Sequence, residues 1–258
     1  MPEDRKKVLG VIPARLGSSR IAEKMLKDIA GKPLIRWTVE RTLKAKSLDA
    51  LLVATDSERI AEIVRPLGVP VMMTPPELPT GTDRVAYAVE RFLDFSPEIV
   101  VNIWGDEPLY PPEAIDLCVA MMLEDEKLPV AGVADLIEDH AMRDAPSIVQ
   151  VLTDLQGYAL SFTRAAVPYR HNKDASYSDY HVIGVMAMRR EFIRTFLTLP
   201  QTPIERMEGV EQMRILEHGY RMRMVKGKFH NLGVNTPEEL EQVRAMMKGR
   251  PAERGDAT

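Results

Sequence analysis

Residues 8–20, VLGVIPARLGSSR, run from an apolar segment, Val8 to Pro13, into a loop holding two arginines, a glycine and two serines. A short apolar run closed by proline and glycine reads as a buried β-strand. The loop supplies the guanidiniums of Arg15 and Arg20, the hydroxyls of Ser18 and Ser19 and free backbone N–H groups, with Lys24 close behind. Those are the donors a triphosphate needs. The loop lacks the GK[ST] of a Walker P-loop and has one glycine where a dinucleotide fingerprint needs three. Taken alone it also reads as a solvated basic turn.

The pattern repeats outward from this stretch. LLVATD, VPVMM and IVVNIWGDEP are further apolar runs, and helical periodicity fills Pro33 to Ala45, Glu58 to Leu67 and Asp83 to Leu93. Strands alternating with amphipathic helices predict an α/β fold with a mostly parallel sheet covered on both faces. Ligands of such sheets bind beyond the carboxyl ends of the strands. Here those ends lead into the Arg15 loop, into Ala54-Thr55-Asp56 and into Trp104-Gly105-Asp106-Glu107. That position favours an anion site over a plain turn for the opening loop.

From about Ala131 the strands become less regular: PVAGVADL, SIVQVLTD, GYALSFTR and VIGVMAMR. Helical periodicity returns at Ile204 to Glu217 and after Thr236-Pro237-Glu238-Glu239. There, N-cap threonine, proline at the first position and glutamate three residues on form a start signal. We expect a single domain over 1–247, with halves at 8–135 and 136–247, and a disordered tail at 248–258.

At 258 residues, 45% apolar and 28% charged, the chain has an ordinary globular composition. A net charge of −4 without a basic run excludes a nucleic-acid surface, and no segment approaches a membrane span of roughly 20 apolar residues. We expect a cytoplasmic protein. The single cysteine, Cys118, excludes an internal disulfide and reads as a buried thiol on a helix.

Three further constellations bear chemistry. Asp106, at the end of IVVNI and facing a basic loop, is placed to hold Mg²⁺, although a turn aspartate capping the next helix has the same signature. Gly81-Thr82-Asp83-Arg84 opens a helix, where backbone donors and a hydroxyl suit a phosphate or heterocycle, or where Thr82 is simply the N-cap. Across Glu205 to Glu217, Met207, Val210, Met213, Ile215 and Leu216 read as the buried side of one helix. Glu208, Glu211 and Gln212 adjoin it, either solvated or bonded to a polyol. His140, His171, His218 and His230 read as loop or surface residues.

Together IPARLGSSR with Lys24, ATDSERI, GTDR, GDEP, YALSFTRAAVP, PIERMEGVEQMRIL and GVNTPEELE resemble, in order and spacing, the 3-deoxy-manno-octulosonate (Kdo) cytidylyltransferases. The resemblance spans about residues 8–247. It implies a Rossmann-like glycosyltransferase-A type fold and Mg²⁺-dependent transfer of CMP from CTP to an acidic sugar. It also implies a homodimer formed through the second half, which would carry the sugar site, and a nucleotide-binding first half. Arg15 and Lys24 would then hold the triphosphate. Ala14, Gly81 and Arg84 would lie near the cytidine, with Ser19, Thr55 and Thr82 completing the nucleotide set. Asp106 would bind metal, and Glu211 and Gln212 would face the sugar.

The departures from the family pattern are local. Trp104 stands where the family has glutamine, and Val182 and Met186 stand where it has histidine and tyrosine. His181 is displaced by one residue, so in a regular strand it points to the opposite face. Asn235 replaces an aspartate that serves as second metal ligand, and Ala22-Glu23 replaces a Pro-Gly turn. Trp104, His181 and Met186 are therefore the candidate sugar contacts that distinguish this chain. A related 2-keto-3-deoxy acid sugar, a catalytically weak nucleotide-binding homologue and use of another nucleoside triphosphate remain open alternatives.

Overall fold

The computed structural model of the chain describes residues 7–248, except Ser19, Lys173 and the side chain of His140. The nucleotide role expected of Ser19 and the tail expected beyond Lys248 lie outside the described residues.

The chain begins β1 (Val8–Ala14), a small hairpin of β2 (Asp28–Ile29) and β3 (Lys32–Pro33), α1 (Leu34–Thr42), β4 (Ala50–Thr55), α2 (Glu58–Val64), β5 (Val71–Met73) and α3 (Gly81–Arg91). It continues β6 (Ile99–Ile103), α4 (Glu113–Glu124), β7 (Val130–Leu136), α5 (His140–Arg143), β8 (Gln150–Thr153), β9 (Ala159–Thr163) and β10 (Tyr180–Arg189). The remaining elements are α6 (Arg190–Thr198), α7 (Pro203–Glu208), α8 (Gln212–Glu217), β11 (Met222–Gly227) and α9 (Pro237–Lys248).

The main sheet has the order β11-β7-β10-β6-β1-β4-β5, with the β8–β9 hairpin attached to β10. β6, β1, β4 and β5 pair in parallel, as do β7 and β11, while β10 runs antiparallel to both neighbours. The sheet is thus mixed but mostly parallel, and it draws its strands from both halves of the chain. Two apolar layers explain why its strands read as nearly continuous hydrophobic runs. Val8, Ile12, Val101 and Ile103 pack under α1, α2, α4 and α9, whereas Leu9, Val11 and Val100 pack under α3 and α6.

Cys118 is fully buried in α4, where burial pushes its thiol up to about 12. Asp106 caps no helix, because α4 starts after Pro112 without a side-chain cap. The cap of α3 is Thr80, whose Oγ1 accepts from Asp83 N at 3.2 Å; Thr82 lies inside the helix and is buried. The segment 205–217 forms two helices rather than one. Gly209 adopts φ +65°, a left-handed conformation that ends α7 cheaply only for glycine, and α8 starts afresh at Gln212. Met207 therefore points into solvent instead of the core, while Val210, Met213 and Ile215 are buried.

Candidate active site

The carboxyl ends of β1 and β6 open onto a cleft of about 620 Å³, lined also by the start of α3, the α7–α8 turn and Asn235. Arg15, Arg20, Lys24 and Arg84 bring positive charge to it, and Asp106, Trp104, Gly81 and Glu211 share its wall. Groups more than a hundred residues apart in sequence meet here because parallel β1 and β6 end side by side and the α7–α8 turn and the loop before α9 fold back over that edge.

Two carboxylates anchor the basic loop. Asp56 Oδ1 accepts from Leu16 N at 2.9 Å, and Asp56 Oδ2 lies 3.3 Å from Arg84 Nη2. Arg84 is almost fully buried and also donates to Thr74 Oγ1. Burial lowers its pKa, opposed by Asp56 and helped by nearby Arg15. At the other end of the loop Lys24 Nζ donates to Asp106 Oδ2 and, at 2.8 Å, to Val234 O. Val234 N returns a bond of 2.9 Å to Asp106 O, so the segment leading to Asn235 is tied directly to the GDEP turn. Behind Asn235, Thr236 and Glu239 form the expected reciprocal cap: Glu239 N donates to Thr236 Oγ1 at 3.2 Å and Thr236 N to Glu239 Oε2 at 3.1 Å.

Asp106 and Asn235 therefore offer a carboxylate and a carboxamide oxygen to one cleft. Among the described residues no group of three or more His, Cys, Asp or Glu side chains could cage an ion. Two hard oxygen donors beside a cationic loop suit Mg²⁺, which takes few protein ligands and completes its shell with phosphate oxygens and water.

Two residues before Asp106, Trp104 lies against Gly184. A Cβ at residue 184 would stand 2.5 Å from Trp104 Cβ, so the indole can take this position only over glycine. Trp104 N donates to Gly184 O at 2.8 Å. Glu211 lines the cleft with its Oε2 enclosed and without a partner; burial raises its pKa, against hydrogen bonds from Thr82 and Thr80.

The other candidates stand back from the opening. Ala14 and Thr55 are buried at their strand ends, and Thr55 Oγ1 accepts from Ser57 N at 3.2 Å, a turn contact. Thr82 takes a 3.3 Å bond from Asn102 Nδ2. Gln212 and Met186 are buried, and neither lines the cleft. Glu208 accepts from Thr163 Oγ1 at 2.6 Å and Arg164 N at 3.0 Å, a structural link. His181 is buried 3.8 Å from Asp135, on the layer opposite Val182 and Met186. Burial lowers its pKa, and Asp135 only partly offsets this.

Sequence reasoning passed over Asp56, Glu107, Asn231 and Glu205. Asp56 carried a signal, because it follows Thr55 at a strand end. Glu107 is buried beside Asp106; its carboxyl rises to about 8, chiefly through burial and secondarily through Asp106. Glu205 lines the cleft while paired to buried Arg214, a contact between two helices that periodicity had joined into one.

The cytidylyltransferase family model matches residues 9–225 of the chain. The chain belongs to the cytidylyltransferase family. Within this family it is 42% identical over 246 residues to the 3-deoxy-manno-octulosonate cytidylyltransferase of Chlorobaculum parvum, covering 94% of this chain and 98% of the relative. The enzyme of the same name from Syntrophotalea carbinolica is 40% identical over 251 residues, covering 94% and 99%. A solved CMP:2-keto-3-deoxy-manno-octonic acid synthetase complexed with CTP superposes with a TM-score of 0.86 at 34% identity, covering 94% of this chain and 98% of that one. A cytidylyltransferase needs a site for a triphosphate and a second site for its acceptor, and this one cleft gathers the cations Arg15, Arg20, Lys24 and Arg84 together with Trp104 and Glu211.

Proposed function

We propose that this chain transfers CMP from CTP to the anomeric hydroxyl of 3-deoxy-manno-octulosonate or a related 2-keto-3-deoxy acid sugar, giving the CMP-sugar and pyrophosphate. The observation that carries this reading is the convergence of Arg15, Lys24 and Arg84 with Asp106 and Asn235 in one cleft. Its close relatives are named for that activity.

In the proposed reaction the sugar hydroxyl attacks the α-phosphorus of CTP in line. The bond from α-phosphorus to its bridging oxygen breaks, the hydroxyl proton is lost, and pyrophosphate leaves. Such displacements need positioning and charge neutralisation rather than a protein nucleophile. Arg15 and Lys24 hold the phosphates, with the loop fixed through Leu16 to Asp56. Gly81 and Arg84 lie beside the cytidine, and Trp104 and Glu211 meet the sugar. Asp106 and Asn235 would hold Mg²⁺, which when bound supplies further neutralisation of the phosphate oxygens and acidifies a hydroxyl near it.

The wider setting is also part of the reading: a cytoplasmic enzyme serving lipopolysaccharide or surface polysaccharide synthesis. No helix among the described residues is long and apolar enough to cross a membrane. Homodimerisation through the 136–247 half is supported by exposed Leu160, Tyr169 and Tyr177 there, and sedimentation of the purified chain tests it.

Trp104 favours a sugar with fewer hydroxyls on that side, because an indole over Gly184 returns few hydrogen bonds to a polyol. Pyrophosphate release with CTP, UTP and GTP against a panel of ulosonic acids tests the whole reading. Turnover is expected with CTP and a 2-keto-3-deoxy acid, and Asp106→Ala should abolish it with the fold intact. CTP binding without product from any acid sugar would leave a binding protein instead.

A further inference from the structure

We infer that Glu107, which does not touch the cleft, is a positioning residue that sets where Asn235 and Trp104 stand relative to Asp106. This rests on the reading of the cleft as a metal and nucleotide site.

The side chain of Glu107 is buried, and two donors converge on its Oε2: Gly184 N at 2.8 Å and Asn231 Nδ2 at 2.7 Å. These partners lie 77 and 124 residues away in sequence. One carboxyl oxygen thus joins three separate pieces of chain behind the site. On one side Asn231 starts the short run that reaches Asn235, and Val234 in that run exchanges bonds with Asp106 and Lys24. On the other side Gly184 supports Trp104 and accepts its backbone N–H. The segment leading to Asn235 and the position of Trp104 are therefore both referred to the residue next to Asp106.

A second buried carboxyl side chain makes the division of labour specific. Asp135 accepts from Phe229 N at 2.6 Å and Asn231 N at 2.8 Å, so it holds the backbone of this run from β7. Loss of Glu107 should accordingly loosen the path from Asn231 to Asn235 without detaching the run. Because both bonds end on one oxygen, a carboxamide can reproduce them: Glu107→Gln supplies a carbonyl in place of Oε2, whereas Glu107→Ala leaves both donors without an acceptor.

The test uses the full chain with Glu107→Ala and Glu107→Gln. One readout is Mn²⁺ binding in the presence of CTP, followed by the electron paramagnetic resonance of free Mn²⁺. The other is the emission of Trp104 in a Trp37→Phe background, since these are the two tryptophans of the chain. Partners behind metal ligands typically contribute 10–100-fold in affinity, so Glu107→Ala is expected to weaken Mn²⁺ binding by about tenfold or more and shift the Trp104 emission. Glu107→Gln is expected to restore both. Wild-type Mn²⁺ binding and emission in Glu107→Ala, or equal damage from glutamine and alanine, would overturn the inference. Should Glu107→Ala not fold, Asn231→Ala removes one bond alone. It is expected to weaken Mn²⁺ binding with Trp104 emission unchanged, and wild-type Mn²⁺ binding there would again overturn the inference. Asp106→Ala separates the two levels: if it binds Mn²⁺ with CTP normally, the metal reading fails while the Trp104 emission still judges Glu107.

Discussion

Gly184→Ala should be among the more damaging single-methyl additions in this chain. The new Cβ would stand 2.5 Å from Trp104 Cβ, 2.7 Å from Cγ and 2.9 Å from Cδ2. Rotation of the indole relieves the last contact but cannot move Trp104 Cβ, which is fixed to the backbone. The backbones are themselves joined, Trp104 N to Gly184 O at 2.8 Å, and Gly184 N also donates to the Glu107 side-chain Oε2 at 2.8 Å, so separation breaks ladder and site contacts together. Overpacking a closed position costs about 1–3 kcal/mol. For a chain of this size that lowers Tm by roughly 2–4 °C for each kcal/mol. Urea unfolding with an unchanged m-value is the assay, since a shifted midpoint alone then reports stability. The variants Trp104→Ala and Trp104→Gly sharpen it. Alanine keeps the Cβ that collides, so it should rescue Gly184→Ala only in part, whereas glycine should remove most of the cost. The expected coupling with Trp104→Gly is about 1 kcal/mol or more, well above the scatter of independent sites. Wild-type stability of Gly184→Ala, or strict additivity with Trp104→Gly, would refute the reasoning.

Other outcomes follow from the same geometry. Glu23 stands at φ +51° and ψ +43° immediately before Lys24, with its carboxylate paired to exposed Arg59. Glu23→Gly should leave Tm unchanged or raise it, whereas Glu23→Ala, which keeps the left-handed cost and loses the pair, should lower it. Native Cys118 should resist disulfide exchange with a thiol reagent, since its thiol is buried and raised to about 12, and should react at the rate of unfolding when urea is added. His181 has a folded pKa below the ordinary imidazole value because it is buried, so the unfolded chain takes up its proton first. Its contribution is complete above about pH 6.5 and is lost as pH falls through and below that value. His181→Gln should flatten this acid limb of the stability profile, and an unchanged limb would count against the assignment.

The layered core was legible because parallel strands buried on both faces leave continuous apolar runs, and Val8 to Pro13 is such a run. The cap at Thr236 was legible for the same kind of reason: its partners are three residues away. The cap of α3 was misplaced by two residues because Thr80 and Thr82 offer the same hydroxyl, and only backbone conformation decides between them. The break at Gly209 escaped periodicity, which continues across it; the left-handed φ that separates α7 from α8 is a property of the folded turn. Glu107 was passed over beside Asp106 because its partners, Gly184 and Asn231, are remote in sequence.

The sequence by itself determined the alternation of strands and helices in the first half, the cationic loop at the end of β1 and the acidic turn at the end of β6, since each depends on neighbours within a few residues. It also carried the motif set by which the family is known. The tertiary structure alone decided that Lys24, Asp106 and Val234 meet, that an indole at 104 rests on a glycine at 184, and that Glu107 ties both to the segment before Asn235. Those are contacts between chain segments brought together by the sheet, and hydrophobic periodicity contains no information about which remote polar groups will share a buried oxygen.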